Sequence, residues 1–316
     1  MTADAAPSSP RRVGFLGPEG TFTEQALLSQ PDLADEELVP MATFAEVLAA
    51  VDAGEIDLGF VGIENSIEGT VTVTMDALAL EHDLLIQREV VLGIQLNLLA
   101  PPGVGLADVR RILTFPVAAA QCRAWLAEHL PGVEVVAANS NAEAARLVAE
   151  QADGVSAAVA PALAAKIYGL EMLAESIQDH SENETRFVLV GRDTVPAPTG
   201  HDKTTIVVFQ RTDRAGSLLA ILQEFAARAI NLTKLESRPT KKALGDYCFI
   251  IDLEGHLADE LVADGLRDLR TKVADIKFLG SYPAAGVHGP AVRRDAEESW
   301  RTADAWIAGL RANLGR

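Results

Sequence analysis

The chain has 316 residues, 48% hydrophobic and 23% charged, with a formal net charge of −18. That is an ordinary soluble globular composition, long enough for about two domains. Residues 1–200 hold 10 Lys and Arg against 29 Asp and Glu, whereas residues 201–316 hold 17 against 16. The acidic first part argues against nucleic acid as a partner, because phosphate binding needs a basic surface. It also argues against steering an anionic substrate by net charge, so any anion site must be local. Cys122 and Cys248 fall in different predicted domains and are expected to be free thiols of a reducing compartment. No apolar run approaches the roughly 20 residues that span a membrane. The opening MTADAAPSSPRR lacks the hydrophobic region of a signal peptide. It reads as a disordered tail over residues 1–12, and a cytoplasmic location with no membrane partner is expected.

Val13–Leu16 is predicted as a strand, Gly17–Gly20 as a turn and Thr21–Leu28 as a helix. Strand, glycine turn and helix N-terminus form an anion site from backbone N–H groups. Thr21 or Thr23 would add a hydroxyl; alternatively Thr21 only caps the helix, with Glu24 completing a capping box. Glu37–Met41 is the next strand. Thr43–Ala53 is an amphipathic helix with Phe44, Val47, Leu48 and Val51 on one face. Leu58–Ile63 reads as a doubly buried parallel strand ending in Glu64-Asn65-Ser66. Residues just past such a strand sit where open α/β sheets bind ligands; the alternative is a turn in which Asn65 or Ser66 caps a helix.

Leu84–Leu99 is too long for one strand and is expected to cross to a second lobe. There the strands Arg111–Thr114, Glu134–Ala137 and Ala157–Ala160 alternate with helices Val117–His129, Asn141–Gln151 and Ala162–Tyr168. Thr114 and Ser140 fall at strand ends before helices, and Gln121 lies near the start of its helix. Cys122, Trp125 and Leu126 face inward, and nothing near Cys122 would activate a thiolate.

Leu173–Ile177 leads back into IQDHSENETRFVLVG, Ile177–Gly191. Its first half is too polar to bury, and its second half has the alternation and β-branching of a strand. Thr185 and Arg186 stand where the polar loop enters that strand, a usual place for ligand-binding side chains. Arg186 there would hold a carboxylate in a bidentate pair, or be an ordinary surface residue. Two lobes joined by two crossings imply a cleft.

Arg192–Lys203 is a linker rich in Pro, Thr and Gly. Thr204–Gln210, Gly216–Ala229, Leu232–Arg238, Tyr247–Leu253, Ala258–Val273 and Ile276–Leu279 then give the order βαββαβ, a ferredoxin-like unit. Asp295–Leu314 reads as a helix with Trp300, Ala303, Trp306, Ile307 and Leu310 on one face, suited to docking on this or another subunit.

No nucleotide fingerprint is present, and the six histidines show no metal-ligand spacing, so neither cofactor nor metal is implied. A cleft of Thr, Ser, Asn, Gln, Glu and one Arg can orient a small anion and hydrogen-bond a departing oxygen. Thr185 is the candidate for that bond, as a donor rather than an ionised acid. Glu64 would be a proton source if burial raised its pKa. Phe187 would pack on a ring or belong to the core.

Four stretches occur in the order of one family: GPEGTFTEQA at Gly17–Ala26, GIENSIEGTV at Gly62–Val71, NETRFVLVG ending at Gly191, and ESRP at Glu236–Pro239. The chain resembles prephenate dehydratases with a C-terminal ACT domain, over about Val13 to Tyr282. The resemblance implies a periplasmic-binding-protein-like pair of lobes over 13–192 (about 13–90 with 180–192, and 91–179), a linker over 193–203 and an ACT domain over 204–282. It implies prephenate as substrate, losing carbon dioxide and hydroxide to give phenylpyruvate without a cofactor. It assigns catalysis to Thr185, Glu64 and Asn65, and substrate binding to Thr21, Ser66, Thr114, Gln121, Ser140, Arg186 and Phe187. It also implies phenylalanine as effector and a homodimer or homotetramer. The effector site would draw on Gly216-Ser217-Leu218-Leu219, where serine replaces the family's alanine, with Asn231, Leu232, Glu236, Ser237, Arg238 and Pro239. Phe115 stands where the family carries a histidine, so no histidine role transfers. With about 12 residues before the first strand, no fused chorismate mutase domain is expected, and residues 283–316 lie outside the resemblance. Dehydration of arogenate, or binding of a small anion without turnover, would use a similar cleft.

Overall fold

The computed structural model describes residues 10–211, 214–243, 245–285 and 291–312, the side chains of 291–300 excepted. The chain begins with β1 (Arg12–Leu16), α1 (Phe22–Leu28), α2 (Pro31–Ala34), β2 (Glu37–Met41), α3 (Phe44–Asp52) and β3 (Leu58–Asn65). The two-residue β4 (Gly69–Thr70), α4 (Thr72–Leu80) and β5 (Leu85–Gly93) follow. A second set runs β6 (Asn97–Ala100), β7 (Arg111–Thr114), α5 (Pro116–Gln121), α6 (Arg123–His129), β8 (Glu134–Ala137) and α7 (Asn141–Gln151). It closes with β9 (Ser156–Ala160), α8 (Ala162–Tyr168) and β10 (Glu171–Ala174) before β11 (Glu184–Gly191) returns to the first sheet. The first sheet has the order β2-β1-β3-β11-β5 with β4 on β3, and the second the order β10-β6-β9-β7-β8. β1 is parallel to both β2 and β3, as β7 is to β8 and β9. The expected two α/β lobes, joined by two crossings, are therefore present.

Helix covers account for the continuous apolar runs. Val13, Phe15, Phe60, Phe187 and Leu189 pack under Ala26 and Leu27 of α1. Ile112, Ala157 and Val159 pack with Ala118, Cys122 and Leu126. The long Leu84–Leu99 segment resolves into β5 and β6. The expected Val117–His129 helix breaks at Cys122, whose backbone sits at φ −113°, ψ 13°. Asp179, from the returning crossing, takes the N–H groups of Ala124 and Trp125 at 3.1–3.4 Å and so caps α6 from outside. Such a remote cap satisfies N–H groups that an unbroken helix would have used internally. α4 had no forecast: Thr72, Val73 and Thr74 are β-branched and poor helix formers. Burial of Met75, Ala77, Leu78 and Ala79 decides its conformation instead.

Residues 1–9 of the expected tail lie outside the described residues, but Arg11 and Arg12 are built into the fold. Arg11 Nη2 is 2.6 Å from Glu36 Oε1 and Arg12 opens β1.

The remaining elements are β12 (Asp202–Phe209), α9 (Ser217–Ala226), β13 (Leu232–Pro239), β14 (Tyr247–Glu254), α10 (Glu260–Lys272), β15 (Asp275–Pro283) and α11 (Ala291–Arg311). The four strands form an antiparallel sheet in the order β13-β14-β12-β15, which is the expected βαββαβ unit. Contacts divide the chain into two compact units, Met1–Met75 with Val90–Leu189, and Asp76–Glu89 with Val190–Arg316. The stretch 76–89 thus belongs with the C-terminal unit. One face of the third sheet packs Ile206, Val208, Phe249 and Ile251 beneath α9 and α10. The other face holds ion pairs to the 76–89 stretch: Arg238–Asp76 at 2.9 Å, Lys277–Asp83 at 3.2 Å and Lys203–Glu89 at 2.8 Å. On the predicted apolar face of α11, Trp306 and Leu310 are exposed; the Trp300 side chain is outside the described set.

Candidate active site

In the N-terminal unit, the strand ends and helix starts of the two lobes meet around a cavity of about 390 Å³, within the usual range of about 300–1,000 Å³ for small-ligand sites. Its polar wall is made by Thr23, Asn65, Glu68, Thr70, Gln121, Asn141, Asn183 and Thr185; Phe22, Phe44, Phe115, Val117 and Phe187 make the apolar wall. Among the described residues no Lys, Arg or His lines it, and Glu68 is the one charged side chain on its wall. Phe22 and Asn141 are the first residues of α1 and α7, and Val71, also on the wall, directly precedes α4. Helix starts present N–H groups with partial positive charge, so they and the amide and hydroxyl donors are what an anion meets.

β11 delivers its residues by alternation. Thr185 and Phe187 line the cavity; Arg186 between them does not. Phe187 is buried and stacks on Phe60, with ring centroids 5.4 Å apart, so it is core and cavity wall together. Arg186 Nη1 lies 3.4 Å from Glu64 Oε2, and this ion pair, rather than a substrate carboxylate, is the partner the fold supplies. Glu64 is itself off the wall, and its side chain is 36% exposed.

Asn65 is the hub. Its Oδ1 accepts the backbone N–H groups of Ile67 and Glu68, both at 3.0 Å, closing the turn after β3. Its Nδ2 donates to Thr185 Oγ1 at 2.9 Å and to Asn183 Oδ1 at 2.8 Å. Asn183 Nδ2 donates to Gln121 Oε1 at 2.9 Å, and Gln121 Nε2 to Glu68 Oε1 at 3.2 Å. Ser66 is off the wall. Its hydroxyl accepts from Glu184 N at 2.9 Å and donates to Glu182 O at 3.2 Å, tying β3 to the start of β11.

Three expected binding residues are used structurally instead. Thr21 Oγ1 accepts from Glu24 N at 3.2 Å and donates to Leu16 O at 2.8 Å, so the cap reading holds and Thr23 takes the place on the wall. Glu24 accepts from Gly20 N, one residue before the usual capping-box partner. Burial raises the Glu24 carboxyl above its ordinary pKa, against the lowering effect of the Gly20 N–H. Ser140 caps α7 through Glu143 N at 3.0 Å, leaving Asn141 to face the cavity. Thr114 is fully buried and donates to Asn141 Oδ1 at 3.3 Å. Phe115, in the histidine's place, lies on the cavity wall. Cys122 is core: burial, with Asp179 adding to it, pushes its thiol up to about 12.

Sequence reasoning missed Asn183, Asn141, Glu68 and Thr70. Asn183 was findable, because it shares the parity of Thr185 and Phe187 two and four residues on. Asn141 follows the capping serine, which is where a first-turn side chain projects beside the N-terminus. Among the described residues no group of three or more His, Cys, Asp or Glu side chains is placed to hold a metal ion, and no helix is long and apolar enough to cross a membrane.

In the C-terminal unit the expected effector residues separate. Gly216, Ser217, Leu218 and Leu219 line a cavity of about 360 Å³ with Phe249. Gly216 is the left-handed residue before α9, at φ +86°, and a Cβ there would meet nothing within 4 Å. Glycine is needed for its conformation rather than for close approach. Ser217 Oγ donates to Arg214 O at 2.7 Å. Across the sheet Ser237 pairs with Phe249, whereas Glu236 and Arg238 pair with Ile250 and Cys248 on the opposite face. Arg238 Nε and Nη2 both reach Asp76 Oδ1 at 2.9 Å, and Lys241 Nζ reaches Oδ2 at 3.1 Å. Glu236 and Asn231 are therefore not on the Gly216 cavity; Asn231 Nδ2 donates to Glu254 Oε1 at 3.1 Å. Leu232, partly buried, packs on the core beneath the helices, and Pro239 ends β13.

Comparison with known proteins supplies what geometry alone does not. Residues 13–195 match the family model described as prephenate dehydratase, and residues 204–271 that of the ACT domain. A prephenate dehydratase of Mycobacterium tuberculosis strain H37Rv is 45% identical over 314 residues, 95% of this chain and 94% of that protein. A crystal structure of prephenate dehydratase from Arthrobacter aurescens in complex with L-Phe superposes with TM-score 0.88 at 42% identity, covering 96% of this chain and 100% of that one. A structure described as GqqA, a novel type of quorum quenching acylase, gives TM-score 0.79 at 34% identity, covering 87% of this chain and 98% of that one.

Proposed function

Because the chain belongs to the prephenate dehydratase family, we propose that the Asn65–Thr185 cavity is where prephenate becomes phenylpyruvate and that Thr185 assists the departing hydroxyl. The observation that carries this is the bond from Asn65 Nδ2 to Thr185 Oγ1. With one lone pair of Thr185 taken by Asn65, and no acceptor for its hydrogen among the described residues, the hydroxyl is set to donate into the cavity. As the carbon–carboxylate bond breaks and releases carbon dioxide, its electron pair completes the aromatic ring and the ring hydroxyl leaves. A donor aimed at that oxygen stabilises the charge where it develops. The driving force lies in the substrate, so the protein's task is placement. Phe187 and Phe22 offer the ring an apolar wall, while helix starts and side-chain amides meet the carboxylates.

An acylase, as the GqqA neighbour is described, would need an activated nucleophile or a metal-bound water if it hydrolysed an amide. Among the described residues no histidine or cysteine lines the cavity, which favours the dehydratase reading. Glu68, the charged group on the wall, is placed to meet an amine, so arogenate belongs beside prephenate in the assay. Phenylpyruvate formed from prephenate well above the uncatalysed rate is expected; its absence would overturn the proposal.

Phenylalanine regulation through the ACT domain, with assembly as a homodimer or homotetramer in the cytoplasm, is part of the same reading. The cavity at Gly216, where Leu218, Leu219, Leu222 and Phe249 meet Gln210 and Arg214, and the 59% exposure of Leu219 support it. An effector acts only by preferring one arrangement of the protein over another. Gly216→Val should abolish the response of prephenate turnover to phenylalanine while leaving turnover itself, and an unchanged response would place the effector elsewhere.

A further inference from the structure

Asn183 is a buried polar group that the proposed mechanism leaves without a task. It is 2% exposed on the cavity wall, and its carbonyl is fixed by the N–H of Ile94 at 2.7 Å. Its side chain sits in the middle of a hydrogen-bond chain whose direction is forced at both ends. At one end, Asn65 Oδ1 accepts two backbone N–H groups, which can only donate. That orients the Asn65 amide so that Nδ2 faces Thr185 and Asn183. At the other end, Glu68 Oε1 accepts from Gln121 Nε2 at 3.2 Å, and an amide nitrogen can only donate. That turns Gln121 Oε1 toward Asn183. Asn183 is therefore met by a donor on one side and an acceptor on the other. Only a side chain with both functions on one planar group satisfies the two at 2.8 and 2.9 Å.

We propose that Asn183 is a positioning residue for the dehydration: it joins Gln121 of the second lobe to Asn65 of the first and so keeps Thr185 polarised as a donor. The inference rests on the Thr185 reading given above. Asn65 Nδ2 also reaches the Glu184 carbonyl at 3.1 Å, so without Asn183 it loses its shortest acceptor and is shared between Thr185 Oγ1 and that carbonyl, while Gln121 Oε1 loses its donor. The Asn65 amide keeps its two backbone donors at Oδ1, but its Nδ2 can turn toward the Glu184 carbonyl, and the Thr185 hydroxyl then loses its fixed direction. Small displacements of that kind at a reacting centre cost rate rather than affinity.

The test is a steady-state comparison with prephenate of the full-length wild type, Asn183→Ala, Thr185→Val and the double variant, with thermal melts alongside. Asn183→Ala should lower kcat about tenfold or more while moving KM less than about threefold. In the Thr185→Val background it should cost less than about twofold, because the group it positions is gone. Should the alanine variant not fold, the nearly isosteric Asn183→Asp replaces it. It keeps the acceptor for Asn65, loses the donor for Gln121, and should show the same split between kcat and KM. Where Thr185→Val is too slow for the cycle, that split alone decides. A kcat within twofold of wild type, a loss confined to KM, or an equal loss in both backgrounds would overturn the inference and leave the Thr185 reading standing. A Thr185→Val variant that keeps its kcat would overturn both.

Discussion

Two strands of this molecule carry motifs of the same make, and the fold treats both alike. β11 holds Glu184-Thr185-Arg186-Phe187 and β13 holds Glu236-Ser237-Arg238-Pro239. In the first, Thr185 and Phe187 reach the cavity while Arg186 pairs with Glu64. In the second, Ser237 shares the face of Phe249 while Glu236 and Arg238 take the other, where Arg238 grips Asp76. A run of consecutive residues on a strand serves two faces. Both arginines look like ligands for an anion from outside, and both already hold a carboxylate of the chain itself. The strands differ in burial: the Arg238–Asp76 side chains are 19% and 10% exposed, the Arg186–Glu64 pair 11% and 36%.

The two strands should differ most at the hub behind β11. Asn65→Leu removes the donor to Thr185 and the acceptor for two turn N–H groups, and should lower kcat about a hundredfold. Steady-state rates with prephenate check this, and a loss under tenfold would show that Thr185 is positioned by something else. On β13 the effect is expected in stability instead. Arg238→Ala leaves Asp76 enclosed with, among the described residues, only the half-exposed Lys241 as counter-charge, and such losses cost about 3 kcal/mol. A melting temperature lowered by roughly 6–12 °C is expected; an unchanged melt would mean that the pair is solvent-screened. A smaller effect is expected at the edge of the second lobe. The Val155 N–H, first, and the Ser156 hydroxyl hold the Asp153 carboxyl below its ordinary pKa. A depressed carboxyl stabilises the fold above the unfolded value, about 3.9, and that contribution fades as pH falls through the lower folded value. Asp153→Asn should therefore destabilise at pH 6 more than at pH 3 in melts of the two proteins, and an equal difference at both would contradict the assignment.

Much of this was legible in the sequence. Glu37–Met41, Arg111–Thr114, Glu134–Ala137, Asn141–Gln151 and Ala162–Tyr168 have the bounds expected of them, because each has an uninterrupted period and a clear stop. Thr185, Asn65, Gln121 and Phe187 were placed on the wall by motif and strand end. What escaped depends on distant residues. The break at Cys122 follows from a carboxylate 57 positions along, Asp179. α4 forms although it opens on three β-branched residues, because residues 74–79 are buried. The capping roles of Thr21 and Ser140 were open at the sequence level, since a hydroxyl before a helix serves a cap and a ligand equally well. Only geometry shows which lone pairs are spent.

Neighbours on β11 have separate tasks, and kcat and KM for prephenate of Thr185→Val and Arg186→Ala, measured side by side with wild type, separate them. The account predicts that Thr185→Val loses kcat about a hundredfold or more with KM within about threefold. Arg186→Ala, off the cavity wall, should keep its KM within about threefold. A threonine variant that keeps most of its kcat, or an arginine variant whose KM rises a hundredfold as it would on losing a substrate carboxylate, would contradict it.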